Sequence, residues 1–291
     1  MRTERVKGGQ SMGKMFLTEQ GRSMGRMLLT DLRRAFGGWT VWVGALLLFV
    51  TLVMPVAMDI FRSDPASLNA VDRFFLAFAA SGAPFLAPVL CCLPMGVSFC
   101  DDYVTGFGRL VIQRTGIKRY LMSRILSAAF SGGCTMFLGM ALYIGFCFLV
   151  FTGSASSDPN LANYLEAIRS FNVFTWLPEG FAAGYWLMAA YWLQYTLWGA
   201  VWAVAGLAIS ALVTNRYASL ALPFISVITL GTLFGRLRLL YLSPYSYLNP
   251  LVNKELVFFS SYWGLLLGFG IQLVLFGGIF YLVGRRRLLN G

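Results

Sequence analysis

The stretch Tyr185–Val213, YWLMAAYWLQYTLWGAVWAVAGLAISALV, runs for 29 residues without one charged side chain. About 20 mostly apolar residues suffice for a helix to cross ~30 Å of hydrocarbon, so this segment is long enough to span a bilayer. The rest of the chain has the same character. Of 291 residues 58% are hydrophobic and only 12% are charged, where a soluble domain carries roughly 25%. So little polar surface cannot cover a soluble protein of this size, and lipid is the solvent that fits.

Five further stretches match the first: Trp39–Met58, Phe74–Phe99, Ile125–Thr152, Leu220–Gly235 and Tyr262–Gly284. None of the six contains Asp, Glu or Lys. The expected fold is therefore an all-α integral membrane protein with six transmembrane helices filling residues 39–284. A cytoplasmic amphipathic segment, 1–38, precedes them and a basic tail, 285–291, follows. Pro84, Pro88 and Pro94 predict a kink or local unwinding in the second stretch.

Positive charge sets the orientation. Seventeen of the 23 Lys and Arg residues lie in the N-terminal segment, in the loop after the second stretch, at Arg216 and in the C-terminal tail. The other six are Arg62, Arg73, Arg169, Arg236, Arg238 and Lys254. The richer side is expected to be cytoplasmic, with both termini on it. Cations spread in this way over several loops do not form a nucleic-acid face, and no nucleic-acid partner is expected.

The segment before the first stretch holds a near-repeat, SMGKMFLTE at Ser11–Glu19 and SMGRMLLTD at Ser23–Asp31. In its second copy Met24, Met27, Leu28, Leu32 and Phe36 share one helical face, with Arg22, Arg26 and Arg33 off it. This predicts an amphipathic helix in the membrane interface. Asp158 and Pro159 mark the start of a short outer-surface helix within Ala155–Gly184. Pro244 and Pro250 break the apolar run Arg236–Phe259, predicting short re-entrant helices before the last span. Trp39, Trp42, Tyr185, Trp186, Tyr191, Trp192, Tyr262, Trp263 and Tyr281 are placed as an aromatic belt would be.

Catalytic and cofactor motifs are missing. The chain has no histidine, which excludes Ser-His-Asp, Cys-His and HExxH sites. It has no GxxxxGK[ST] loop either. Cys91, Cys92, Cys100, Cys134 and Cys147 all fall in or beside the second and third stretches, and read as buried small apolar groups rather than a metal or redox set. The acids Asp59, Asp64, Asp72, Asp158, Glu166, Glu179 and Glu255 are scattered through outer loops. No catalytic, cofactor-binding or metal residue is assigned. Inside the stretches only Gln194 and Gln272 are large polar side chains, and these two are the candidates to line a pathway. A carrier without an internal ionisable residue needs an outside energy source, hence a partner.

The surface for that partner is the loop Asp101–Leu126, DDYVTGFGRLVIQRTGIKRYLMSRIL. Leu110, Val111, Ile117 and Leu121 alternate there with Arg109, Arg114, Lys118, Arg119 and Arg124. Asp102, Gly106, Arg114, Tyr120 and Arg124, followed by Ser131-Gly132-Gly133, give the region a pattern that resembles the type-2 ABC exporter permeases. Asp102 stands where many relatives have Glu, which keeps the charge. The resemblance implies that the loop is a coupling helix seated in a cleft of a separate ATPase subunit, with Asp102, Gly106, Arg109, Arg114, Arg119 and Arg124 as coupling residues. It also implies two permease chains, identical or similar, working with two ATP-binding subunits that hold ATP and Mg. The setting would be a cell membrane, the bacterial cytoplasmic membrane, and the exported substrate a drug, peptide or lipid-like molecule. Two alternatives stay open: a membrane-embedded enzyme using outer-loop carboxylates, and a non-transporting scaffold or immunity protein.

Overall fold

The computed structural model describes residues 24–62, 68–152, 182–213, 215–239 and 262–290, together with Pro244 and Leu248. The first copy of the near-repeat, the outer-surface helix near Asp158 and the re-entrant segment before the last span lie outside the described residues. Those described are helical throughout, apart from turns and one isolated bridge between Asn69 and Thr152.

In chain order the helices are α1 (24–37), α2 (Thr40–Arg62), α3 (Ala70–Ala80), α4 (Ala83–Cys92), α5 (Ser98–Val104), α6 (Phe107–Thr115), α7 (Ile117–Val150), α8 (Ala182–Leu212), α9 (Arg216–Arg236) and α10 (Tyr262–Asn290). Five of them, α2, α7, α8, α9 and α10, are long and apolar enough to cross a membrane. All five run beyond the apolar stretches that mark them, α2 on to Arg62 and α8 from Ala182. Helix α7 begins at Ile117 rather than Ile125, α9 at Arg216, and α10 continues through Arg285–Arg287 to Asn290.

The second stretch is where the prolines act. It is not one helix but α3 and α4, bent by 79°, followed by a turn and α5. Asn69 caps α3 by accepting from the Val71 N–H at 2.8 Å. Ser81 and Gly82 end α3, and Pro84 sits in the first turn of α4, where a missing N–H costs nothing. Helix α4 ends at Cys92, with Leu93 still right-handed helical and Pro94, which has no N–H to continue the ladder, in the turn that follows. The pair makes a sixth crossing if it is counted as one span.

Helix α8 is the hub. It packs against α7, α10, α4 and α9, and 72% of its apolar window is enclosed, against 17% for α9. Lipid is as apolar as a protein core, so association here depends on close packing and hydrogen bonds between helices. Small residues supply the first: Gly132 of α7 and Gly199 of α8 lie so close that a Cβ on either would meet the other's carbonyl oxygen at 2.9–3.0 Å. Tyr262 donates to the Ala190 carbonyl at 2.8 Å, Trp192 to Phe137 at 3.1 Å, and Tyr143 to Arg73 at 2.9 Å. The aromatic belt divides accordingly. Trp39, Trp42, Trp186 and Trp263 are exposed on the outer faces, while Tyr191 and Tyr262 are buried.

Candidate functional site

Helix α5 ends at Thr105, whose hydroxyl donates to the Asp101 carbonyl at 2.8 Å. Gly106 follows at φ 71°, a left-handed conformation that costs a side-chain-bearing residue about 1–2 kcal/mol. The chain turns there into α6, nine residues long. Gly116, at φ 82°, ends α6 and opens α7. Two glycines thus set off a short helix between α5 and α7. Val111 and Ile112 pack partly against the core below, while Phe107 and Leu110 are exposed to 49% and 62%.

Beneath α6 lies a buried ionic cluster. The Asp102 carboxylate, 2% exposed, accepts from three side chains. Arg34 Nη1 reaches Oδ1 at 2.9 Å, Tyr120 Oη reaches Oδ2 at 2.8 Å, and Arg124 Nη2 also holds Oδ2. Arg124 Nη1 faces Asp31 Oδ1 at 3.3 Å, and the Ser123 hydroxyl donates to Asp31 Oδ2 at 2.6 Å. Two carboxylates and two guanidiniums therefore form a neutral set in which every carboxylate oxygen has a partner, as buried charge requires. The guanidinium of Arg124 also lies 5.3 Å from the Tyr120 ring centroid. The cluster ties three elements together: α1 through Asp31 and Arg34, α5 through Asp102, and α7 through Tyr120, Ser123 and Arg124.

The same end of the bundle gathers the other cationic segments. Arg216, opening α9, lies 3.8 Å from Asp101. Arg287 in α10 donates to the Ala211 carbonyl at the end of α8, at 2.8 Å, and its guanidinium stands 4.4 Å over the Tyr103 ring. Arg73 belongs to the opposite end, where α3 meets the far end of α7. Burial, then the neighbouring Asp101 carboxylate, push the Cys100 thiol above its ordinary value, so it packs as an apolar group. Cys91, Cys92 and Cys147 are fully buried, with Cys92 Sγ donating to the Trp202 carbonyl at 3.3 Å. Among the described residues no three His, Cys, Asp or Glu side chains converge as metal ligands.

No protein-family model, characterised protein or solved structure matches this chain. The geometry therefore carries the functional argument alone.

Of the residues singled out in the sequence, Asp102, Tyr120 and Arg124 meet in the cluster, and Gly106 makes the turn above it. Arg114 and Lys118 are exposed on α6 and the start of α7, and Arg119 is half-buried. Arg109 lies on α6, its side chain outside the described set. The apolar residues of the loop divide: Leu110 faces outward, Val111 and Ile117 are half-buried, and Leu121 is in the core. Gln194 is wholly buried on the hub helix and Gln272 half-buried on α10, so the two have different surroundings. Asp31 and Arg34 were not singled out. A signal for Asp31 was available, since an acid set between Leu28 and Leu32 on an apolar helical stripe calls for a buried cation.

Proposed function

We propose that this chain is the membrane-spanning permease subunit of an ATP-driven exporter of the type-2 ABC kind, with ATP hydrolysed by a separate subunit. The observation that carries the proposal is the mounting of α6. A coupling element must present a surface to a soluble partner and pass its displacement to the membrane helices. Helix α6 exposes Phe107, Leu110 and Arg114, and it sits directly above ion pairs that lock α5 to α7 and α1. A push on α6 would be carried into α7 and its hub neighbour rather than lost in a slack loop. Asp102 then acts from inside, by holding the platform, while Arg114 is available to the partner.

In this proposal α3 and α4 together make the second of six crossings, and the end holding the ionic cluster, Arg216 and Arg287 is cytoplasmic. Two permease chains with two ATP-binding subunits complete the transporter, and the substrate is a drug, peptide or lipid-like molecule. A membrane-impermeant maleimide tests the orientation. A cysteine at Phe61, 85% exposed at the end of α2, should label in intact cells. One at Gln113 on α6 should label only after the membrane is opened. Four of the five native thiols are buried and Cys134 is half-buried, so the unmodified chain labelled in parallel gives the background. Labelling of both positions from the same side would defeat the topology.

Affinity purification tests the function: the tagged chain should bring down an ATP-binding subunit. Gly106→Ala should cost about 1–2 kcal/mol in backbone strain and Gly116→Ala, at φ 82° and ψ 148°, about 1–3 kcal/mol, misplacing α6 while the spans stay inserted. Recovery of the ATPase and its stimulation should fall severalfold in both. Normal recovery and normal stimulation in both variants would reject α6 as the coupling element.

A further inference from the structure

A cleft of about 480 Å³ opens between α1 and α6, lined by Thr30, Asp31, Arg34, Asp102, Thr105, Phe107 and Leu110. Almost every polar group in it is already committed. Asp102 has three donors, and Asp31 accepts from the Ser123 hydroxyl and is ion-paired with Arg124. The Thr30 and Thr105 hydroxyls donate to their own helix carbonyls, Arg26 at 2.9 Å and Asp101 at 2.8 Å. Arg34 differs. Its side chain is 47% exposed and, among the described residues, only Nη1 is engaged, whereas a guanidinium carries five N–H donors in a planar fork. Beside it stand the exposed apolar walls Phe107 and Leu110.

We propose that α1 and α6 form one composite docking cleft, in which Arg34 takes a carboxylate presented beside an apolar side chain on the ATP-hydrolysing subunit. This rests on the permease proposal and names the chemistry by which that partner is held. Charge complementarity picks the occupant. The exposed charged side chains described on α1, α5, α6 and the first turn of α7 are Arg26, Arg33, Arg34, Arg114 and Lys118, all cations. The acids of those elements are turned inward or paired. An acidic and apolar protein surface suits this frame. Anionic lipid suits it less well, because the apolar walls belong to a helix set off from the spans by two glycines. The amino-terminal helix is thereby part of the receptor as well as a membrane anchor.

The test uses the full chain in nanodiscs, of phosphatidylcholine alone or with phosphatidylglycerol added, titrated with the ATP-binding subunit that copurifies with it. Arg34→Gln keeps a donor for Asp102 but removes the charge. Leu110→Gln leaves the ionic cluster untouched, so it remains informative should Arg34→Gln lower the yield of folded chain. Each is expected to weaken binding about tenfold or more, equivalent to ~1.4 kcal/mol, in both lipid mixtures. Arg33→Gln, which removes the same charge outside the cleft, should lose much less. The proposal is overturned if Arg34→Gln loses no more than Arg33→Gln, or if Leu110→Gln binds normally. It is also overturned if the Arg34 effect appears only with phosphatidylglycerol, which would assign the cleft to lipid. These three results leave the permease proposal standing. Failure of the unmodified chain to recover any ATP-binding subunit overturns both.

Discussion

Arg124→Met is expected to destabilise this protein more than any other single substitution at the ionic cluster. The Arg124 guanidinium is 2% exposed and bridges Asp102 and Asp31, whose side chains are 2% and 9% exposed. Removing one partner of a buried pair leaves an uncompensated charge and costs about 3–5 kcal/mol, against a net stability of roughly 5–15 kcal/mol for a domain. Two carboxylates depend on this one cation, so the upper part of that range is expected. The chain should be recovered in markedly lower yield, with a lower midpoint of thermal unfolding in detergent. A midpoint equal to that of the unmodified protein would show that the cluster is not what holds α1, α5 and α7 together.

The arrangement also specifies which second substitution should repair the first. With Arg124 gone, Asp102 keeps Arg34 and Tyr120, whereas Asp31 keeps only the Ser123 hydroxyl. Neutralising the acid left worse off should help more, so Asp31→Asn should restore more stability to Arg124→Met than Asp102→Asn does. Each asparagine substitution alone should be harmful, because it leaves the cluster with surplus positive charge. Such strong non-additivity is what contact between the three groups requires. Equal repair by the two asparagine variants would contradict the partner sets.

The membrane helices were legible because a charge-free stretch of sufficient length has one physical destination. Their ends were less so. Lys118, Arg119 and Arg124 sit within the first turns of α7, and charge marks where the apolar run stops rather than where the backbone stops being helical. Pro84 marked the start of α4 just after the bend, since ring geometry acts locally, whereas Pro88 lies inside that helix without ending it. The Asp102 and Arg124 pair was half legible: a carboxylate at the end of an apolar stretch needs a cation, and Arg124 of the same loop supplies one. The contribution of α1 was not, because Arg34 and Asp102 are 68 residues apart and Ser123 and Asp31 are 92 apart, and no short-range pattern encodes such contacts. Gln194 shows a further limit. Polarity within a span marks a residue that avoids lipid, but a water-filled pathway and a tight helix interface satisfy that equally, and Gln194 is fully buried in the hub.

The interface of that hub leads to a graded expectation. Glycine in a helix costs about 1 kcal/mol relative to alanine, so a Gly→Ala change should stabilise α7 wherever space allows. At Gly145 a Cβ would meet nothing within 4 Å, and Gly145→Ala should be silent or slightly stabilising. At Gly133 the nearest atom would be the Thr196 carbonyl oxygen at 3.4 Å, ordinary contact, and the effect should be small. At Gly132 the added methyl would overlap the Ala203 Cβ and stand 2.9 Å from the Gly199 carbonyl oxygen and 3.2 Å from that of Cys91. Two of these three obstacles are backbone, on α8 and α4, and cannot rotate away. Gly132→Ala must therefore separate α7 from α8, with an overpacking cost of ~1–3 kcal/mol beyond the propensity gain, and Gly132→Leu should abolish the folded chain. Removing the Ala203 methyl as well, in Gly132→Ala with Ala203→Gly, takes away one obstacle and leaves the two carbonyls, so repair should be partial. Thermal unfolding of the four alanine and glycine variants in one detergent measures the order. If Gly132→Ala is as stable as Gly145→Ala, α7 and α8 do not approach through this pair, and the hub must be packed in another register.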